Sequence, residues 1–219
     1  MKRIFTILII TILFNSCVKK QEKTLTLNGE KNIENKTQNN EIEILCDSIY
    51  PNKKYSIKLY QINDSPPQSL DENSKNYFFE LKQNGKNIFV DSIFSIVAEI
   101  NFRDFNNDGI KDVLIQNDSD VRSNWTYNLY LIDTLKNSLK KVKGFNQIKN
   151  PNFIVEYNLI DNEVMSGRNW TSFYQIKKDT IFDFGYIIYK GMNDDGAIVD
   201  FDKEYQKTLR KVLNNKNYR

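Results

Sequence analysis

The side chains best suited to chemistry lie between Asp104 and Asp112, in the run Asp-Phe-Asn-Asn-Asp-Gly-Ile-Lys-Asp. Asp104, Asn106 and Asp108 put oxygen donors on alternate positions. Gly109 follows, and Asp112 closes the run. Ca²⁺ is a hard cation that takes about six to eight oxygens. A tight loop supplies them from alternate side chains and from a main-chain carbonyl, here that of Ile110. The spacing therefore predicts a calcium site formed by Asp104, Asn106, Asp108, Ile110 and Asp112. The place of the bidentate glutamate that ends a helical calcium loop is taken by Ile115. The flanking residues read as strands, so the expected loop belongs to a β module and the metal to its fold. The competing reading is a solvated Asx turn without metal. A second acidic run, Asn193-Asp194-Asp195-Gly196, has different spacing and reads as a turn.

What the chain lacks narrows the chemistry further. It contains no histidine, which removes the usual general base and the Ser-His and Cys-His pairs. Carboxylate chemistry of the glycosidase kind stays open. Asp118 and Asp120 are near the loop but read as solvated charge. With no recognisable nucleophile, the expectation is a protein that is not an enzyme. The net charge of +3 over 219 residues is small. Its lysines interleave with acids, so nucleic-acid binding is not expected.

The elements that must position the loop begin after a leader. Lys2 and Arg3 precede an apolar stretch, Ile4 to Phe14, too short to span a bilayer, and then Asn15, Ser16 and Cys17. This layout predicts a lipoprotein signal peptide over residues 1–16 and lipidation of Cys17. Simple secretion and an N-terminal anchor helix are the other readings. Residues 17–40 are polar and read as a disordered tether. Residues 41–219 read as one calcium-binding β domain. The expected location is the cell envelope, at the outer membrane, held through the lipid alone. Cys46 is then the only other thiol; it lies in an alternating strand and reads as buried and inert.

The domain has β texture. Alternating segments run over Tyr55–Ile62, Tyr77–Gln83, Lys86–Asp91, Ile93–Phe102, Val113–Gln116, Trp125–Ile132, Phe153–Tyr157, Ser172–Lys177 and Thr180–Tyr189. Asn84-Gly85 is a strong hairpin signal. Tyr205, Leu209 and Val212 have helical spacing after Asp202, the expected N-cap. These features predict an antiparallel all-β fold with a short C-terminal helix. Two Asn-Trp-Thr units, at Asn124 and Asn169, lie about 45 residues apart, a propeller-blade period.

The succession "DFNNDGIKDVLI", "WTYNLYLID" and "NPNFIVEYNLIDNEVMSGRNWTSFYQI" resembles a family of small bacterial lipoproteins. That family includes immunity proteins and inhibitors of lysozyme-like toxins. It is related in fold to periplasmic inhibitors of invertebrate-type lysozyme. The resemblance covers roughly residues 100–189. It implies a small β-propeller-like domain, a calcium loop and a Ser-Gly loop inserted into a hydrolase cleft. The matching positions are Ser166, Gly167 and Arg168. Serine can donate to a carboxylate, glycine permits close approach, and arginine can form a charge-assisted pair. A plain β-turn with an exposed arginine is the other reading. The partner so implied is a lysozyme-like hydrolase or toxin. A glycan- or peptidoglycan-binding module is the alternative, using the faces of Trp125 and Trp170. Tyr130 and Tyr174 are further candidates to flank either site, or core residues.

Overall fold

Asn84 and Gly85 both adopt positive φ, 49° and 76°, and this tight turn joins β3 (Tyr77–Gln83) to β4 (Lys86–Ile93). The pair belongs to a four-stranded antiparallel meander with β1 (Glu41–Leu45) and β2 (Tyr55–Gln61). The computed structural model describes residues 41–62, 75–192 and 196–215. The signal peptide, Cys17 and the tether expected over residues 17–40 lie outside these residues, as does the run Asn193-Asp194-Asp195.

A second meander follows: β5 (Ile100–Arg103), β6 (Asp112–Ser119), β7 (Trp125–Asp133) and β8 (Ser138–Lys141). The third sheet has the order β13-β12-β10-β9, from β9 (Pro151–Ile154), β10 (Leu159–Asn162), β12 (Phe173–Lys177) and β13 (Thr180–Asp183). Short strands β11 (Trp170–Thr171) and β14 (Ile188–Tyr189) pair beside it. A helix, α1 (Phe201–Leu213), ends the described chain. All strand ladders are antiparallel. The domain is thus all-β with one short C-terminal helix.

Three cores lie in series. Ile57, Leu59, Phe79 and Leu81 of the first sheet meet Val113, Ile115, Tyr130 and Ile132 of the second. Leu114 and Leu129 point the other way and pack with Phe145, Phe153 and Ile160. The second sheet is therefore covered on both faces. That is why β6 reads as the continuous apolar run Val113-Leu114-Ile115 rather than as an alternation. The third core joins Leu159 and Phe173 to Leu209 and Val212 of α1.

Several expected boundaries move. Phe153–Tyr157 is not one strand, because β9 ends at Ile154 and Val155–Tyr157 turns as a 3-10 helix closed by Asn158 in the left-handed region. The segment Ile93–Phe102 is not one strand: β4 ends at Ile93 and β5 begins at Ile100. Ala98 takes φ 54°, and the Gln116 side-chain oxygen accepts from Ser95 Oγ and from the Ile96 and Val97 amides. This link satisfies its polar groups through a side chain rather than through strand pairing. Thr180–Tyr189 breaks at Gly185, at φ 73°. The N-cap of α1 is Asp200, whose carboxylate accepts from the Lys203 amide. Asp202 instead sits in the first turn, where its charge favours the helix dipole.

Candidate functional site

The loop between β5 and β6 folds around its own side-chain oxygens. The Asp104 carboxylate accepts from the amides of Asn106 at 3.1 Å, Asn107 at 2.6 Å and Gly109 at 2.8 Å. Asn106 Oδ1 accepts from the Asp108 amide at 3.1 Å, and Asp108 Oδ1 from the Ile110 amide at 2.8 Å. Each acceptor is two residues before a donor, so three Asx-type turns are nested in one short run. Asn107 and Gly109 supply the left-handed residues, at φ 60° and 80°. A Cβ at Gly109 would meet nothing, so its backbone conformation is what calls for glycine.

Two residues anchor this loop. Phe105 is fully buried, edge-on to Phe145 at 5.2 Å, and the Arg103 guanidinium lies over its ring at 5.5 Å. Asp112 is the last rung of the β5–β6 ladder and is fully buried. Its oxygens accept from the Phe105 amide at 2.9 Å and the Ile132 amide at 3.2 Å. Asp112, expected as one ligand among several, thus closes the base of the loop and ties it to β7. Burial pushes its carboxyl up to about 7, against the pull of these two hydrogen bonds; the charges of Asp108 and Asp104 push it further up.

The donor set suits a hard cation. Asp104, Asn106 and Asp108 offer side-chain oxygens that keep unused lone pairs, and Ile110 offers a carbonyl. The concentrated negative charge, felt at Asp112, has the sign that a cation would relieve. Among the described residues, no three His, Cys, Asp or Glu side chains converge into a group able to hold a metal. The loop's donors differ in kind, because an amide and a main-chain carbonyl stand with the carboxylates.

The second predicted site is the tip of a hairpin. Val164 and Trp170 pair through both main-chain bonds, at 2.8 and 3.2 Å. Residues 165–169 form the connecting loop. Asn124, almost fully buried, grips it from the position just before β7 of the second sheet. Its amide donates to the Met165 carbonyl at 2.8 Å, and its oxygen accepts from the Met165 amide at 2.7 Å. Asn150 steadies Asn124 at 3.1 Å. Asp120 accepts from Asn124 and from Lys149 at 2.9 Å, and these partners, Lys149 first, hold its carboxyl well below the usual range. Within the loop, Asn169 Oδ1 accepts from the Ser166 amide at 3.1 Å. The asparagines of both Asn-Trp-Thr units therefore hold one tip, an arrangement no spacing rule disclosed.

The three tip residues differ in availability. Ser166 Oγ donates to the Arg168 carbonyl, so its proton shapes the turn. Gly167 is exposed, and a Cβ there would meet nothing within 4 Å. Arg168 lays its guanidinium 4.2 Å from the Tyr189 ring centroid. Trp125 and Trp170 are half-buried. Tyr130 is core, its hydroxyl donating to Asp91 at 2.7 Å. Tyr174 packs against the second core. Cys46 is fully buried, which pushes its thiol up to about 11.

No family model, curated protein or solved structure matches this chain.

Proposed function

We propose that this chain is an envelope lipoprotein that inhibits a lysozyme-like cell-wall hydrolase, serving as an immunity protein or inhibitor rather than an enzyme. The observation that carries this reading is the clamped tip at residues 165–169. A loop that enters a cleft loses least entropy when it is already ordered, and Asn124 and Asn169 order this one. Gly167 leaves room for close approach, and Arg168 brings a charge suited to a catalytic carboxylate. Ser166 contributes by shaping the turn, since its proton is committed to Arg168.

In the same reading the loop holds a structural calcium through Asp104, Asn106, Asp108, the Ile110 carbonyl and Asp112, whose buried carboxylate stands at its base. The three successive four-stranded meanders suit a small propeller-like arrangement, with the Asn-Trp-Thr units opening β7 and β11. Cys17 carries the lipid that anchors the chain at the outer membrane, and residues 1–16 direct its export.

The test is inhibition of a panel of lysozyme-like hydrolases by wild type, Arg168→Ala and Gly167→Trp. Wild type should inhibit at least one. Arg168→Ala leaves the enzyme's carboxylate unpaired in a desolvated cleft, a loss of about 2–5 kcal/mol that acts mainly through a faster off-rate. Gly167→Trp should melt like wild type, since open space surrounds the position, and should fail to inhibit. Wild-type protein without effect on every hydrolase would remove the proposal.

A further inference from the structure

The tip does not use a separate cleft between β10 and the first turns of α1. Its volume is about 340 Å³, at the small end of the range of about 300–1,000 Å³ for small-molecule sites. One wall is polar. Asp161 accepts from Asn152 Nδ2 at 2.9 Å and from the Tyr205 hydroxyl at 2.6 Å. Glu163, two residues on from Asp161, accepts from Lys190. The other wall is aromatic, with Phe201 and Tyr205 at a centroid separation of 5.9 Å. Lys190 joins the walls at the rim, its ammonium 4.8 Å from the Phe201 centroid.

We propose that this cleft binds a neutral pyranose ring of a glycan. A pyranose has an apolar C–H face and a fringe of hydroxyls, each both donor and acceptor. The Phe201–Tyr205 wall suits the face. The hydroxyl fringe finds acceptors at Asp161 and Glu163, a donor at Lys190, and both at Asn152. Each carboxylate oxygen at Asp161 takes one of these internal bonds and keeps capacity for another. The array is ordered in advance by its own hydrogen bonds, which lowers the entropy lost on binding. Two carboxylates against one ammonium leave the cleft negative. That sign selects against phosphate, nucleotides and acidic sugars, and in favour of an uncharged ring.

This inference does not rest on the hydrolase reading, and the two are tested apart. The full-length protein is titrated with cellotriose and with chitotriose by calorimetry and by ligand-observed NMR. Saturable binding of either, at up to millimolar concentration, is expected, and the preferred one assigns a plain or an N-acetylated ring. Asn152→Ala, at an exposed position, should melt like wild type and bind at least about tenfold more weakly. Phe201→Ala should weaken binding likewise, with a lower melt because Phe201 packs against the third core; Asn152→Ala therefore serves as the control for folding. Arg168→Ala should bind sugar as wild type does. Failure of both trisaccharides to bind, or binding unchanged in Asn152→Ala and Phe201→Ala, overturns the proposal.

Discussion

Asp112 shows how one buried carboxylate couples fold to solution conditions. Its folded carboxyl is pushed up to about 7 from an ordinary 3.8. Between these values the unfolded chain has released the proton that the folded chain still holds. Stability contributed at this residue is therefore highest at low pH and falls as pH rises from about 4 to 7. Complete ionisation costs on the order of 4 kcal/mol. With chelator present, urea midpoints should drop across this window, beyond the background set by other groups. Asp112→Asn should flatten the slope. Calcium should flatten it too, because a cation beside Asp104 and Asp108 favours the ionised form. A slope equal in Asp112→Asn and wild type would relieve Asp112 of this role.

At the scale of elements, two loops are held by unlike means. The β5–β6 loop is fixed by nested turns, the Phe105 plug and Asp112. If it carries calcium, a site filled at a hundred times its Kd adds about 2.7 kcal/mol. Chelator should then lower the Tm of wild type, and Asp108→Ala should abolish that response while lowering the Tm by itself. Superimposable melts with calcium and with chelator would leave the loop as a set of Asx turns. The 165–169 tip is fixed from outside, by a residue of another sheet. Asn124→Ala strips partners from the Met165 main chain and from Asp120. The expected loss is about 1–3 kcal/mol for the Met165 main-chain groups left unsatisfied; Asp120 keeps Lys149 and water. Amide exchange at Met165 and Ser166 should quicken, and inhibition should weaken through the off-rate. Unchanged exchange at those amides would deny Asn124 its positioning role.

For the molecule as a whole, order comes from sheets stacked in series. Tyr130 illustrates the packing: its ring lies 4.7 Å from that of Phe79 across the first core, and its hydroxyl reaches Asp91. The acidic loop departs from the middle sheet, the one covered on both faces, and the tip, which follows β10 of the third sheet, is held to that middle sheet through Asn124, the residue before β7. In the proposed reading, export and anchoring act through residues 1–17. Cys17→Ser should move the protein from the membrane pellet to the soluble envelope fraction; continued sedimentation with membranes would call for another anchor.

The sequence by itself determined the local features. Asn84-Gly85 can only turn tightly, and the alternation through Tyr55–Gln61 can only bury one face of a strand. Asp104, Asn106 and Asp108 on alternate positions, with Gly109, specify a loop folded on its own oxygens. These follow from bond geometry and from partners a few residues away. Tertiary structure decided what depends on distant partners. It broke Ile93–Phe102, because Gln116 across the sheet caps the amides of Ile96 and Val97. It buried Asp112 and gave it a clasping role, because Ile132 on β7 supplies an amide. It committed the Ser166 hydroxyl to its own loop and brought Asn124 to Met165, 41 residues along the chain. The cleft at Asp161 belongs to the same class, since its polar wall lies on β10 and its aromatic wall on α1. Spacing rules reach only as far as the next turn of chain; a side chain whose partner comes from another sheet finds it only when the cores close.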